Sequence, residues 1–267
     1  MFEPWLTRWH LRPVGEAFKT QHSGSHLIPV LYGGAPAMLK IAPGLEERRG
    51  AVLMVWYGGN GAVRVLELEG EAVLLERATG RRNLADMARN GQDDAATHIL
   101  CATITRLHAP RATVPPTTLV PLSIWFRELT PAVAPNHEIL AKSDMAAREL
   151  LSAPRDVVVL HGDIHHGNVL DGEGRGWLAI DPKGLIGERG FDYAHIMCNP
   201  DREMATAPGR LRRQAQIVAQ IAGLDLTRLL MWILAYAGLS ACWTLDSGGD
   251  PGPALAIAEI AVAELTT

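Results

Sequence analysis

The spacing of apolar residues differs between the first third of the chain and the rest. Residues 27–41 form two apolar runs around a Gly-Gly-Ala-Pro turn, which is typical of a β-hairpin. Residues 46–56 begin with charged residues and become apolar, which predicts a helix packed on a sheet. Two further short strands are predicted at residues 62–68 and 72–76. The first third is therefore expected to be a small antiparallel sheet with one helix.

In the remainder of the chain, most apolar positions recur at helical spacing. Helices are predicted over residues 92–108 and 136–151, with a proline-rich loop between them. Short apolar runs at residues 157–160 and 177–180 predict two strands on either side of a polar loop. From Arg210 onward the pattern again indicates helices.

These patterns favour an α+β fold with two lobes. We expect a small antiparallel β lobe over residues 1–78 and a larger, mainly helical lobe over residues 79–267, with one β-hairpin embedded in the second lobe. A chain of 267 residues fits one large domain or two lobes that share a core. Because ligand pockets favour such junctions, a binding site is expected between the lobes.

The composition is that of an ordinary soluble globular protein. Hydrophobic residues make up 48% and charged residues 20% of the chain, and the net charge is −4. A nucleic-acid-binding protein usually carries a basic surface, so no nucleic-acid partner is expected. The three widely spaced cysteines, Cys101, Cys198 and Cys242, favour neither a disulfide framework nor a zinc ribbon, and they indicate a reducing compartment.

Two segments bear on the cellular location. The first residues, MFEPWLTRWHLRP, lack the apolar run and the cleavage site of a secretory signal. The most apolar stretch, Leu229–Trp243, is shorter than the ~20 residues needed to span a bilayer, and it predicts a buried core helix. We therefore expect a cytoplasmic protein with no membrane partner.

The most informative segment is the polar loop HGDIHHGNVL at residues 161–170, which is followed by a strand ending at Asp181. Phosphoryl transfer needs a carboxylate that orients an acceptor hydroxyl and takes its proton. It also needs ligands for the magnesium ion that bridges the phosphates, and amide and carboxylate oxygens suit this ion. Asp163 precedes Asn168 by five residues, and Asp181 follows Asn168 by thirteen. A loop and a hairpin of this size are expected to bring the three side chains together.

This loop motif resembles that of a known family of antibiotic kinases. His-Gly-Asp-x-His-x-x-Asn followed by Ile-Asp is similar to the catalytic loop and metal-binding aspartate of the aminoglycoside phosphotransferases, which are related to protein kinases. The stretches HGDIHHGNVL and RGWLAIDPKGLIGERGFDYAHIMCNPD look specifically like the streptomycin 6-phosphotransferase branch. So do QDDAATHILCATITRLHAP and LLMWILAYAGLSACW. The resemblance covers nearly the whole chain and is least clear over the first twenty residues.

The resemblance implies a protein-kinase-like fold and a definite reaction. Asp163 would be the catalytic base and would contact the substrate hydroxyl, while Asn168 and Asp181 would hold Mg²⁺. ATP would supply the γ-phosphate, and the acceptor would be streptomycin at its position 6, with aminoglycoside resistance as the result. Asp192 resembles a structural aspartate that braces the catalytic loop.

Nucleotide contacts are also implied. Lys40, one of only four lysines in the chain, looks like the strand lysine that contacts the α- and β-phosphates. Its helix partner is expected to be Glu47, with Glu46 as the alternative. The simpler readings are a strand-edge lysine with its charge in water and glutamates that favour the start of a helix.

Two further segments are expected to line the nucleotide site. The stretch Leu75-Glu76-Arg77-Ala78 looks like the hinge that offers backbone groups to adenine, with Glu76 and Ala78 as the candidates. The phosphate loop lacks the Gly-x-Gly-x-x-Gly pattern and contains Ser23, Gly24 and Ser25, whose backbone amides and hydroxyl groups are expected to contact phosphate. The chain has no Gly-Lys-Ser or Gly-Lys-Thr sequence, so a P-loop kinase is disfavoured.

Candidates for binding the acceptor come from its charge. A streptomycin-like substrate carries guanidinium groups, for which carboxylates are bidentate partners. Asp201 is the candidate, although a solvated surface accounts for most carboxylates in this region equally well. One of His165 and His166 is expected near the substrate, and His166 is the candidate. A histidine zinc site is disfavoured because these neighbours point in different directions and no fourth ligand is evident.

Two alternatives stay open on the sequence. The acceptor could be another antibiotic, a sugar or an amino alcohol, because acceptor pockets vary more easily than phosphate chemistry. The chain could also be a kinase-shaped binding protein without turnover, whose hallmark would be a missing base or metal ligand. All the expected groups are present, which favours the enzyme.

Overall fold

A computed structural model describes residues 1–20, 24–129 and 137–266, and it has the two-lobe α+β architecture expected from the sequence. The strands are β1 (Arg12–Pro13), β2 (Phe18–Lys19), β3 (His26–Tyr32), β4 (Ala35–Ile41), β5 (Val65–Glu69), β6 (Ala72–Glu76), β7 (Val120–Pro121), β8 (Val157–Leu160), β9 (Val169–Asp171), β10 (Trp177–Ala179) and β11 (Leu185–Glu188). The helices are α1 (Glu3–Arg8), α2 (Leu45–Tyr57), α3 (Leu84–Met87), α4 (Asp93–His108), α5 (Leu122–Trp125), α6 (His137–Ser152), α7 (Gly190–Ala194), α8 (Arg202–Ala205), α9 (Arg210–Ala222), α10 (Leu226–Asp246) and α11 (Gly252–Leu265).

The smaller lobe is built on one antiparallel sheet. Its strand order is β1-β3-β4-β6-β5, and β2 also pairs with β3. The predicted hairpin is confirmed as β3 and β4, and the predicted helix as α2. Strand β4 lies inside the sheet, where Lys40 pairs with Leu27 of β3 and with Val73 of β6.

Alternate residues of β4 face opposite sides of this sheet. Leu39 and Ile41 join Trp9 and Leu11 in a small apolar core on the outer side. Lys40 lies on the opposite side, where it meets α2. The alternation therefore explains why a lysine can interrupt an apolar strand: its position is the one that faces the cleft.

One predicted strand begins later than expected, at Val65 instead of residue 62. Ala62 forms an isolated parallel bridge with Ala179 of β10, and the Val63 N–H donates to the Ala179 carbonyl at 3.1 Å. These residues therefore pair with the hairpin of the larger lobe and do not extend β5. The two lobes are tied together at this point.

The larger lobe is organised around α10. This helix packs against α6 and α11, and Trp232, Ile233 and Ala237 are among its buried residues. Within the described residues it is long and apolar enough to cross a membrane, but most of it is buried within the protein. The predicted core helix is thus confirmed.

The larger lobe contains more strand structure than the single hairpin expected. That hairpin is present as β9 and β10, but β11 also pairs antiparallel with β8 and parallel with β7. The run Leu-Ile-Gly-Glu of β11 is short and contains a glycine, so it gave no strand pattern. Gly187 is required by packing, because a Cβ there would lie 2.5 Å from Leu122. The β8–β11 pair fixes the start of the polar loop.

Candidate active site

A buried aspartate holds the start of the loop that follows β8. Asp192, at the start of α7, is fully buried and accepts hydrogen bonds from the N–H groups of His161 (2.9 Å) and Gly162 (2.8 Å). Its carboxylate also lies 2.8 Å from Nε2 of His108. Burial disfavours the charged carboxylate, but the hydrogen bond from His108 and the nearby rings more than offset this and lower the pKa of Asp192. The structure thus gives Asp192 the bracing contacts expected of it.

His161 connects the loop to the segment after β10 that carries Asp181. Its Nε2 lies 2.8 Å from the Ile180 carbonyl, and its Nδ1 accepts the N–H of Asp163 at 3.2 Å. These partners place the proton on Nε2. Burial lowers the pKa of His161 to about 4, so the ring is neutral at pH 7. The neutral ring orients the backbone of Asp163.

Asp163 lies at the partly exposed surface of the loop. Nδ2 of Asn168 donates to the Asp163 carbonyl at 2.8 Å and lies 3.3 Å from Oδ2 of its carboxylate. His165 Nε2 is 3.8 Å from Oδ1, and Lys183 Nζ is 3.8 Å from Oδ2. The carboxylate is therefore oriented by an amide and flanked by an imidazole and an ammonium group. Its position suits a base that receives a proton from a bound hydroxyl.

Lys40 reaches across the cleft from β4. Its Nζ lies 2.5 Å from Oε2 of Glu47 on α2 and 2.8 Å from Oδ1 of Asp181. Burial favours the neutral amine, but the two carboxylates more than offset this and raise the pKa of Lys40. Lys40 is therefore a buried, fully charged cation at the place where a nucleotide's phosphates are expected. Glu47, the first choice from the sequence, is its partner; Glu46 instead pairs with Lys183 at 2.8 Å.

Helix α2 approaches the Asp181 segment closely because it carries a glycine there. A Cβ on Gly50 would lie 2.2 Å from the Pro182 carbonyl oxygen. Any side chain would push α2 away, and with it Glu46 and Glu47. A single small residue therefore sets the distance between the helix and the cleft.

Asn168 and Asp181 fit a hard divalent cation. The Asn168 amide nitrogen is engaged by Asp163, which leaves its oxygen to act as a ligand. Oδ1 of Asp181 accepts from Lys40, and Oδ2 is the further oxygen. Asp181 also has a left-handed backbone with φ of +56°, a conformation that is often retained for a functional side chain. Two oxygens from the protein are what Mg²⁺ needs when phosphates and water complete its shell.

The predicted hinge begins at Glu76, the last residue of β6. The Glu76 carboxylate accepts the N–H of Arg64 at 3.0 Å and also pairs with Arg175, so this side chain ties the connector to both lobes. The backbone of Ala78 forms no hydrogen bond within the described part of the chain. Its polar groups are the ones left for a ligand, and the role of this pair as an adenine hinge stays a prediction.

The predicted phosphate loop is only partly described. Ser23 lies outside the described residues. Gly24 has a φ of +67°, and Ser25 is buried with its carbonyl accepting the N–H of Thr20 at 2.9 Å. The hydrogen bond between Thr20 and Ser25 lies next to the Lys19–His26 pair of β2 and β3. Phosphate binding by Gly24 and Ser25 stays a prediction.

The choice between the two neighbouring histidines needs correction. His166 is 1% exposed, and neither of its ring nitrogens has a hydrogen-bond partner among the described residues. A side chain without exposed surface does not reach an acceptor in the cleft. His165 is the one that faces the site, with Nε2 towards Asp163 and Nδ1 accepting the N–H of Gly167 at 3.0 Å.

Asp201 is already committed to partners within the chain. It caps α8 by accepting the N–H of Met204 at 3.0 Å, and its other oxygen pairs with Nε of Arg89 at 2.8 Å. The carboxylate does bind a guanidinium group, as its chemistry suggests, but that group belongs to Arg89. Its assignment to a substrate stays a prediction that would require Arg89 to be displaced.

The chain matches a known protein family over most of its length. A family model described as aminoglycoside/hydroxyurea antibiotic resistance kinase matches residues 8–248. The chain belongs to this family. The expected resemblance to aminoglycoside phosphotransferases is confirmed.

Curated relatives of this kinase include enzymes that modify different positions of streptomycin. It is 50% identical to a streptomycin 3″-kinase of Klebsiella pneumoniae, over 91% of this chain and 92% of the relative. It is 33% identical to a streptomycin 6-kinase of Streptomyces griseus, over 97% and 86%. It is 32% identical to a hydroxyurea phosphotransferase of Kitasatospora aureofaciens, over 97% and 76%. The chain is therefore less similar to this streptomycin 6-kinase, the branch expected from the motifs, than to the 3″-kinase.

Solved structures share the fold of this kinase. An aminoglycoside phosphotransferase solved with ADP and hygromycin B aligns with a TM-score of 0.66 and 15% identity, over 98% of this chain and 97% of that chain. A choline/ethanolamine kinase family protein of Mesorhizobium loti aligns with a TM-score of 0.65 and 13% identity, over 98% and 90%. At these identities the likeness shows the kinase-like fold alone.

One residue beside Asp163 was missed from the sequence. Lys183 lies between Glu46 and Asp163, and its pKa is raised because these carboxylates outweigh its burial. The available signal was its rarity: it is one of four lysines among 25 basic residues, and it comes two positions after Asp181. His165 was considered, but its orientation relative to His166 depends on the loop backbone and has no sequence signature.

Proposed function

We propose that this protein transfers the γ-phosphoryl group of ATP to a hydroxyl of streptomycin, with Asp163 as the catalytic base. The observation that carries the proposal is the junction of the two lobes. Lys40 from β4, Glu47 from α2 and Asp181 form one ion cluster there. Asn168 donates to Asp163, and its backbone carbonyl accepts the N–H of Ile180, the residue before Asp181. This arrangement provides a base, metal ligands and a phosphate-binding cation, which are the groups that phosphoryl transfer needs.

The reaction proceeds by in-line displacement. The acceptor hydroxyl attacks the γ-phosphorus while its proton passes to Asp163. The bond between the γ-phosphorus and the oxygen that bridges it to the β-phosphate breaks, and ADP leaves with that electron pair. Lys40 holds the phosphates, and Asn168 and Asp181 would hold Mg²⁺, which would neutralise phosphate charge. The products are ADP and a phosphate ester, and Asp163 returns its proton to solvent.

For the acceptor, streptomycin is favoured by the relatives of this chain. The sequence motifs alone suggested phosphorylation at position 6. The 50% identity to a 3″-kinase, against 33% to a 6-kinase, instead supports phosphorylation of the 3″-hydroxyl. The consequence for the cell would be aminoglycoside resistance. We further infer that the enzyme works in the cytoplasm, where ATP is available and where its three widely spaced cysteines would stay reduced.

A second acceptor is favoured by one specific similarity. The chain is 32% identical to a hydroxyurea phosphotransferase over 97% of its length. Hydroxyurea carries an N-hydroxyl group that Asp163 could deprotonate in the same geometry. It therefore belongs in the acceptor panel beside streptomycin.

The proposal is tested by coupled ADP release with ATP, Mg²⁺ and either streptomycin, hygromycin B, hydroxyurea or no acceptor. Streptomycin-dependent release supports the proposed substrate, and NMR of the product distinguishes a 3″-phosphate from a 6-phosphate. If hydroxyurea and no other acceptor caused ADP release, hydroxyurea and not streptomycin would be the substrate. Bound ATP with no release for any acceptor in a broad panel would favour a kinase-shaped binding protein.

A further inference from the structure

Two of the four lysines in this chain occupy the same cleft. Arginine supplies 21 of the 25 basic residues, so lysine is the rarer choice almost everywhere. Lys40 pairs with Glu47. Lys183 pairs with Glu46, which precedes Glu47 in α2, at 2.8 Å. The first turn of α2 thus holds two ammonium groups side by side. Lysine differs from arginine in being a compact point charge on a flexible stem.

The backbone of Lys183 is fixed on both sides. Its N–H donates to the His161 carbonyl at 2.7 Å, and its own carbonyl accepts from Nε of Arg49 at 2.6 Å. The side chain therefore begins from a defined point between the catalytic loop and α2. It is 23% exposed, and its end lies between Glu46 and Asp163.

The contact with Asp163 is too long for a hydrogen bond. The distance from Lys183 Nζ to Oδ2 of Asp163 is 3.8 Å, so the ammonium is near the base but not bonded to it. Glu46 accepts one of its three protons and is itself 42% exposed. An ion pair of this exposure contributes little to folding stability. The placement of Lys183 is therefore better explained by what enters the cleft.

We propose that Lys183 contacts the transferred γ-phosphoryl group. This inference rests on the proposed kinase function. The phosphoryl group must pass from phosphates held near Lys40 and Asp181 to a hydroxyl held at Asp163. Lys183 follows Asp181 by two residues and its Nζ lies beside Asp163, so it flanks that path. Its ammonium shares or leaves Glu46 and binds the phosphoryl oxygens, whose charge it neutralises during transfer while keeping its own proton.

The direct test compares binding of ADP with binding of a non-hydrolysable ATP analogue, both with Mg²⁺ and without acceptor, by calorimetry. Lys183→Met is expected to weaken binding of the analogue by about tenfold to hundredfold, the usual loss for one charged hydrogen bond. It is expected to change the affinity for ADP by less than about threefold. Lys142→Met is the matched control, because Lys142 forms a Lys–Glu pair of similar length on the surface of α6. It should leave both affinities unchanged.

Glu46→Gln separates this role from a structural one. It removes the partner of Lys183 but leaves the ammonium in place, so the ratio of analogue to ADP affinity should be unchanged or higher. If Lys183 only holds α2 against the loop, Glu46→Gln and Lys183→Met should both weaken binding of ADP and of the analogue to the same extent. That result would overturn the proposal. An unchanged analogue affinity in folded Lys183→Met would overturn it as well.

Turnover supplies a further readout. With any acceptor that the wild type uses, Lys183→Met should lower kcat by about 10²–10³-fold with little change in the acceptor KM, and Lys183→Arg should recover part of the loss. A kcat within about threefold of wild type would contradict the contact. Because the binding comparison uses no acceptor, an error in the proposed substrate would leave that test intact.

Discussion

Nζ of Lys40 and Oδ1 of Asp181 lie 2.8 Å apart although 141 residues separate them in the chain. The first belongs to the sheet of the small lobe and the second to the segment that follows β10 in the large lobe. Their contact, completed by Glu47 of α2, places the proposed phosphate-binding cation and the proposed metal-binding carboxylate at one point. The proposed nucleotide site therefore depends on how the two lobes pack against each other.

Glu47→Gln should lower kcat/KM for ATP by about tenfold. The substitution removes one of the two carboxylates that hold Lys40, and a charged hydrogen bond of this kind contributes about 1.5–3 kcal/mol. Steady-state kinetics with ATP as the varied substrate measures the effect. Glu138→Gln, which breaks the exposed pair with Lys142, is the control and should have no effect. Equal kinetics for both variants would show that Glu47 does not position Lys40.

Asp192→Asn should destabilise the protein by about 3 kcal/mol. Asp192 is fully buried and accepts from two backbone N–H groups and from His108. An asparagine has one amide nitrogen that cannot accept, so at least one buried donor loses its partner. Urea unfolding at pH 7 measures the change in the free energy of unfolding. A change below about 0.5 kcal/mol would mean that the loop does not depend on this brace.

His166→Phe should flatten the loss of stability in acid. The charges near His166 are those of Arg210, Arg89, Asp93 and His165, and burial together with Arg210 lowers the pKa of His166 to about 3. The folded protein keeps the ring neutral, whereas the unfolded chain takes up a proton below its ordinary pKa of about 6.5. This contribution to stability is complete above pH 6.5 and is lost as the pH falls towards 3, by at most about 1.4 kcal/mol per pH unit.

The variant removes that proton uptake and two unpartnered nitrogens. Its free energy of unfolding at pH 7 should equal or exceed that of the wild type, and the slope between pH 6 and pH 4.5 should be smaller by about one proton. Urea unfolding across this range provides the measurement. An unchanged slope would show that His166 titrates normally in the folded protein.

Asp181→Asn should raise the Mg²⁺ concentration needed for half-maximal turnover by about tenfold or more. The substitution replaces a charged ligand with a neutral one and also removes the ion pair with Lys40. Titration of activity with Mg²⁺ at saturating ATP measures the shift. If the Mg²⁺ requirement were unchanged while kcat fell, the role of Asp181 as a metal ligand would be wrong.

Those parts of the fold and site that depend on local pattern were predictable from the sequence. The two apolar runs around the Gly-Gly turn gave the β3–β4 hairpin. The resemblance to the kinase family gave Lys40, and the loop motif gave Asp163, Asn168 and Asp181. The short strand β11 was not predictable, because four residues with one glycine have no usable period. The pairing of residues 62 and 63 with β10 was missed for a similar reason: it is a contact between lobes that only their final arrangement creates.

The sequence also could not give the environment of individual side chains. His165 and His166 are adjacent and chemically identical, and only the loop backbone decides that one faces Asp163 while the other is buried. Asp201 has the right charge for a guanidinium substrate, but Arg89, 112 residues earlier in the chain, occupies it. Such pairings are set by tertiary packing and leave no signal in a single sequence.

The most direct test of the account is streptomycin-dependent ADP release by the wild type and by Asp163→Asn, with ATP and Mg²⁺ at saturation. The variant keeps the shape of the side chain and loses its ability to take a proton, so kcat should fall by about 10²–10⁴-fold while ATP binding stays within about threefold. Nucleotide binding by both proteins, measured separately, provides the control for folding. Turnover at the wild-type rate by Asp163→Asn would contradict the assignment of Asp163 as the base and, with it, the mechanism proposed here.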